Sequence, residues 1–277
     1  MNEIIKDISN KDYHAHTAIS RSMVNDFKKS PMYFYLKNIQ KTIEPTKSKQ
    51  TNLGSLVHTL CLEKDKFEQE YFIKKKLDGR TKEGKEQSEV IKEMENKGLI
   101  IVDQDELDKA MLISSNVMVH PMFKKLTQDA LFECCVFWED EETKIFCKAK
   151  PDIFNPKLRI VCDLKTISNI SSFQYSIEEY GYHIQAAMQI DSIRNIDCYV
   201  FFVVQTEEPF NAYVYEMDSE TIEKGREEYK TTLKALKKCF ESDLWKADTH
   251  KIRIAKMPPY LLNNRDYLNN LREVYCV

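Results

Sequence analysis

The chain has 277 residues, of which 42% are hydrophobic and 31% charged, and its formal net charge at pH 7 is −3. That is enough chain for one large domain, or two small ones, around a sizeable core. No apolar run approaches the ~18–20 residues that span a bilayer, so no membrane role is expected. The balance also lacks the bulk basic signature of a nucleic-acid binder, although 41 Lys and Arg can still line one channel.

The first residues, Met-Asn-Glu-Ile-Ile-Lys-Asp, lack signal-peptide architecture, which predicts a cytoplasmic protein. Ser20-Arg21-Ser22 caps a short helix over 23–29. Ser30-Pro31 opens another over 32–37. Residues 38–52 are polar and lysine-rich and read as a loop. Residues 52–71 read as a helix, with Leu53, Leu56, Val57 and Leu60 on one stripe. A basic loop (74–84), a polar helix (85–97) ended by Gly98, and one or two helices over 103–128 broken at His120-Pro121 follow.

The pattern then turns to strands at 131–139, 144–154 and 159–165, read as a three-stranded meander. A helical region (172–194) precedes a continuous apolar run (197–206), as expected of a strand covered on both faces. Residues 211–217 alternate like a further strand. Residues 219–244 form a long amphipathic helix, and a short basic tail runs from Lys251. The expected fold is α/β, a central mixed sheet flanked by helices with an N-terminal helical part. It is expected as one domain over 1–277: 1–130 mainly helical, 131–217 the sheet core, 218–277 a C-terminal helix and tail. The eight cysteines form no CxxC pair. They read as reduced core thiols rather than metal or cluster ligands.

The most informative stretch is Lys150-Pro151-Asp152, with Asp163-Leu164-Lys165 following. A turn at Asn155-Pro156 joins the two strand pieces between them. Residues i and i+2 of a strand share a face, so Asp163 and Lys165 point the same way, toward what Asp152 faces. Two carboxylates and an ammonium converging on one point suit a hard cation and a phosphodiester. The carbonyl of Leu164 is a further candidate ligand. His58 follows Gly54 by one helical turn, and Gly54 permits close backbone approach. Glu133 offers another carboxylate. Gln185 and Gln189 share a helix face with Tyr182 one turn earlier.

Together, Gly54-x-x-x-His58, Glu133, Pro151-Asp152, Asp163-x-Lys165 and Gln185 resemble the PD-(D/E)xK (restriction-endonuclease-like) nuclease superfamily. Within it the likeness is to RecE-type exodeoxyribonuclease VIII and its phage relatives, a RecB-like branch. The segment from Ile19 to Tyr33, the strand Glu133–Trp138 and the string Tyr182-His-Ile-Gln-Ala-Ala-Met also resemble that branch. The resemblance implies His58, Asp152 and Asp163 as Mg²⁺ ligands and Lys165 as the catalytic lysine. Gln185 would support the site, Glu133 would help hold or tune it, and Arg21 and Ser22 would touch a 5′-phosphate. Tyr182 and Gln189 are candidates for substrate contact. Many RecB-like helices carry Tyr where Gln189 stands. The chain also lacks the C-terminal cysteine trio of cluster-bearing RecB nucleases.

The implied protein is a Mg²⁺-dependent exonuclease with two ions per site and Mn²⁺ as the alternative ion. It would digest one strand of linear duplex DNA from a 5′ end and leave 3′ tails for a RecT-like annealing protein. A homo-oligomeric ring and a phage or prophage origin in a bacterial host are further implications. The rivals are a structure-specific endonuclease and a non-catalytic DNA- or partner-binding module.

Overall fold

The computed structural model describes residues 3–5, 8–43, 49–75, 81–193 and 195–246. All described elements lie in a compact unit, Met1–Trp245. A second unit, Lys246–Val277, lies outside the described residues apart from Lys246, and with it the expected tail.

Strand β1 (Glu3–Ile5) is followed by helices α1 (Asn10–Ala15), α2 (Arg21–Lys29) and α3 (Pro31–Phe34), the last continuing into a π-helical turn, Tyr35–Ile39. The Ser20 and Ser30 hydroxyls accept from Met23 N and Tyr33 N, satisfying donors that a helix start leaves unpaired. Next come α4 (Lys49–Leu62), α5 (Phe67–Glu70), β2 (Tyr71–Lys74), α6 (Lys82–Asn96), β3 (Ile100–Asp103), α7 (Gln104–Val119) and α8 (Pro121–Thr127). Asp103 and Glu106 form a reciprocal capping box that starts α7. Pro121 opens α8 at the expected break.

The sheet region holds β4 (Leu131–Phe132), β5 (Cys135–Glu139), β6 (Phe146–Ala149), β7 (Ile153–Asn155) and β8 (Ile160–Ile167). Helices α9 (Phe173–Glu179) and α10 (Tyr182–Ser192), strands β9 (Cys198–Gln205) and β10 (Ala212–Glu216), and helix α11 (Ser219–Ser242) complete it. A five-stranded mixed sheet runs β10-β9-β8-β7-β4, parallel only between β8 and β9. Side chains alternate across it. Ile153, Cys162, Leu164, Val200 and Phe202 pack under Leu56, Val57, Ile113, Val117 and Phe123 of α4, α7 and α8. Phe154, Val161, Tyr199, Phe201 and Val203 pack against Phe173 and Ala186 of α9 and α10. The mixed α/β sheet flanked by helices is the expected class.

Three expectations are corrected. The helix read over 52–71 ends at Leu62, because Glu63 leaves helical geometry and residues 71–74 pair in parallel with β3. The strand read over 131–139 is two strands, because Glu133 adopts a left-handed φ of 49° and sends its N–H to Asp152 O, 3.0 Å away. The strand read over 144–154 breaks at Lys150-Pro151, where proline has no N–H for the ladder. The meander therefore does not exist as one sheet. Strand β5 pairs with β1 on one side and β6 on the other in a separate three-stranded sheet, whereas β4 and β7 belong to the large one.

Candidate active site

The two chain breaks meet, and the site forms where they meet. The β7–β8 register pairs Ile153 with Cys162, which sets Asp152 beside Asp163 and Leu164 at the hairpin's open end. Asp152 Oδ2 accepts from Leu164 N at 2.8 Å and lies 2.8 Å from His58 Nε2. The other imidazole nitrogen, Nδ1, is 3.2 Å from Glu133 Oε1. The left-handed turn at Glu133 aims its carboxylate at that histidine. On α4, Gly54 lies against β8: a Cβ there would sit 2.8 Å from Thr166 Oγ1. The glycine lets the helix bring His58 to the sheet.

On the other side of the strand, Lys165 Nζ lies 2.5 Å from Asp163 Oδ2 in an ion pair. Gln185 Nε2 donates to Asp163 Oδ1. Arg21 Nη2 donates to Gln185 Oε1 at 3.4 Å. The Tyr182 ring lies 4.9 Å from Lys165 Nζ. Gln189 Nε2 reaches the carbonyl of Lys150 at 3.4 Å, so it contacts the backbone of the break. A cavity of about 660 Å³ is lined by Arg21, Ser22, His58, Glu133, Asp152, Leu164, Lys165, Tyr182, Gln185 and Gln189. Asp163 stands just behind it, 1% exposed. The structure thus gathers every residue singled out in the sequence, with Asp163 turned to Lys165 and Gln185 rather than to His58.

Two further lysines, given no role from the sequence, border the site. Lys150 forms an ion pair with Glu133 and donates to Asn10 Oδ1 at 2.6 Å. Lys148 donates to the carbonyls of Tyr13 (2.6 Å) and His16 (2.9 Å). Both lysines alternate on the cavity face of one strand and its extension, a period-2 pattern that was readable. Their partners Tyr13, His16 and Asn10, which lie 132 to 140 residues earlier, were not.

The electrostatics are those of crowded acids. Burial and then Asp152 push Glu133 up to about 7. Burial and Asp152 likewise push Asp163 up to about 6. Burial acts to lower His58, but Asp152 and Glu133 outweigh it and hold the imidazole at about 9. Burial opposes the ionised form of Asp152, yet His58, Lys165 and the Leu164 N–H keep its carboxyl below the ordinary range. Lys165 is raised: burial works against its charge, and Asp163 and Asp152 more than compensate.

A divalent cation fits this donor set. Ligand atoms of His58, Glu133 and Asp152 lie within 4.8 Å of one another. Glu133 Oε1 and Asp163 Oδ2 are buried, with the His58 imidazole and the Lys165 ammonium as their charged neighbours. Carboxylate oxygens with one imidazole suit a hard or borderline divalent ion.

No curated protein matches the sequence. A crystal structure from Eubacterium rectale, described as a "putative exonuclease", matches with a TM-score of 0.64 at 13% identity, over 93% of this chain and 98% of that one. A likeness at that identity is one of fold. A family model described as a PDDEXK-like domain of unknown function (DUF3799) matches residues 20–258. On that match, which covers most of the chain including every candidate site residue, the chain belongs to this PDDEXK-like family.

Proposed function

We propose that the protein is a Mg²⁺-dependent exodeoxyribonuclease that degrades one strand of linear duplex DNA from the 5′ end and leaves 3′ single-stranded tails. The observation that carries the reading is the His58–Glu133–Asp152 cluster facing the Lys165 ammonium across one cavity. Membership of a PDDEXK-like family supports a nuclease; polarity and the exonucleolytic mode rest on the RecE-type resemblance.

His58, Glu133 and Asp152 would hold a cation, with Asp163 and the Leu164 carbonyl as candidates for a second. When bound, the cation supplies positive charge that acidifies water and offsets phosphate charge. Asp163 and Gln185 hold Lys165 in place. With its pKa raised, Lys165 remains an ammonium at neutral pH and balances charge on the phosphodiester rather than accepting a proton. Arg21 and Ser22, on the cavity wall, are placed to contact a terminal phosphate. Such a product suits a RecT-like annealing protein, and a ring of subunits would let a mildly acidic chain enclose DNA in a basic channel. A cytoplasmic, phage- or prophage-encoded origin accords with this role.

End-labelled linear duplex, incubated with Mg²⁺, Mn²⁺ or EDTA, tests the reading. Stepwise release of the 5′ label as short products in the metal lanes is the expected result. Cutting of covalently closed circular DNA would instead establish an endonuclease.

A further inference from the structure

The turn between α9 and α10 carries an aromatic side chain that the core leaves half exposed. Tyr182, beside Lys165, packs on the buried rings of Phe173 and Phe201, at 6.2 and 5.4 Å between centroids. The ring of Tyr180 follows it at 5.7 Å, with the planes at 40°. Tyr180 is 49% exposed. Its main chain, by contrast, is pinned. Arg21 Nη1 and Asn25 Nδ2 both donate to the Tyr180 carbonyl, at 2.8 and 3.0 Å. Gly181 then turns the chain at a φ of 68°, and a Cβ on it would come within 2.7 Å of the Asn25 amide. The result is an exposed ring on a fixed backbone, one ring contact from Tyr182, which lines the cavity, and two from the Lys165 ammonium.

We infer that Tyr180 is a stacking platform for an unpaired nucleobase of the strand held in the cleft. The inference rests on the nuclease reading and adds to it how the strand is gripped beside the reacting phosphate. Every base has a π face, so stacking on a tyrosine is strong and sequence-tolerant. Charge favours the base over the backbone at this position. Exposed Glu178 and Glu179 precede Tyr180 and repel phosphates, while Arg21 and Lys165 offer positive charge on the cavity side.

The test is a titration in EDTA, where no cleavage occurs, of a single-stranded oligonucleotide carrying 2-aminopurine near its 5′ end. The wild-type protein is expected to quench the probe. Tyr180→Ala should abolish the quench and weaken binding about tenfold, the low end of the effect for one stacked base. Tyr180→Trp should restore both. Tyr175→Ala, which removes a 77% exposed ring outside this series, should retain both. The platform is overturned by an undiminished quench in Tyr180→Ala, by failure of Trp to rescue, by equal loss in Tyr175→Ala, or by absence of wild-type binding. Quenching without any Mg²⁺-dependent cleavage would instead remove the nuclease reading, and cleavage without quenching would remove only the platform.

Discussion

Two buried acidic centres of this molecule contrast sharply. At Asp140, between β5 and β6, Oδ2 accepts from Thr143 N at 2.9 Å and Thr143 Oγ1 at 2.7 Å, and Oδ1 pairs with Lys230 of α11. Burial alone would raise this carboxyl, but Lys230 and Thr143 bring it below its ordinary value. At the candidate active site, Glu133, Asp152 and Asp163 crowd one another, and two of the three carboxyls are pushed up although His58, Lys150 and Lys165 stand beside them. A buried acid whose hydrogen bonds are complete is a structural element. A group of acids so crowded that two of them resist ionisation is a receptor for a cation.

The largest expected difference between the centres is in activity. Lys165→Ala should lower Mg²⁺-dependent nucleotide release by about 10³-fold, as loss of a charge-stabilising donor does, with far-UV circular dichroism unchanged. Release at the wild-type rate would remove Lys165 from the chemistry. Next is the response to metal. Mg²⁺ at a hundred times its Kd should raise wild-type stability by about 2.7 kcal/mol. Asp152→Asn should lose most of that increment in a thermal melt, and a variant at Asp140 should keep it. An equal increment in both variants would dissolve the contrast.

Asp140→Ala should cost about 2 kcal/mol by denaturant unfolding, since it strips hydrogen bonds from a charged acceptor and leaves Thr143 N without its partner. The remaining effect is on pH. The His58 pKa is raised, from about 6.5 to about 9. In EDTA its stabilising contribution should therefore be complete below about pH 6.5 and fade as pH rises through about 9. A cation needs the neutral imidazole, so Mg²⁺ affinity measured by calorimetry should rise over that same window. Affinity that is flat from pH 6.5 to 9.5 would take His58 out of the ligand set.

Much of the site was legible because its signals are local. Asp163 and Lys165 share a face by strand periodicity, Asn155-Pro156 marks a turn, and Gly54 with His58 sits one helical turn apart. The Asn155 side chain does cap that turn, accepting from Lys157 N and Leu158 N. The role of Lys150 was not legible, because it comes from Glu133 across a strand break and from Asn10, which is 140 residues away in sequence. The same holds for Arg21, whose partners are Tyr180 and Gln185. Short strands β1 to β3 were missed since three or four residues carry too little periodicity to read.

The sequence by itself determined most sheet-forming segments, the caps and breaks of the helices, and that Asp163 and Lys165 share one face of a strand. These follow from hydrogen-bonding needs and side-chain spacing within a few residues. Only the tertiary structure decided that two apparently continuous strands break at Glu133 and Pro151 and pass from one sheet to another. A glutamate has no intrinsic preference for a left-handed φ; the Asp152 carbonyl, His58 and Lys150 hold it there, and that constraint turns a strand residue into a candidate metal ligand.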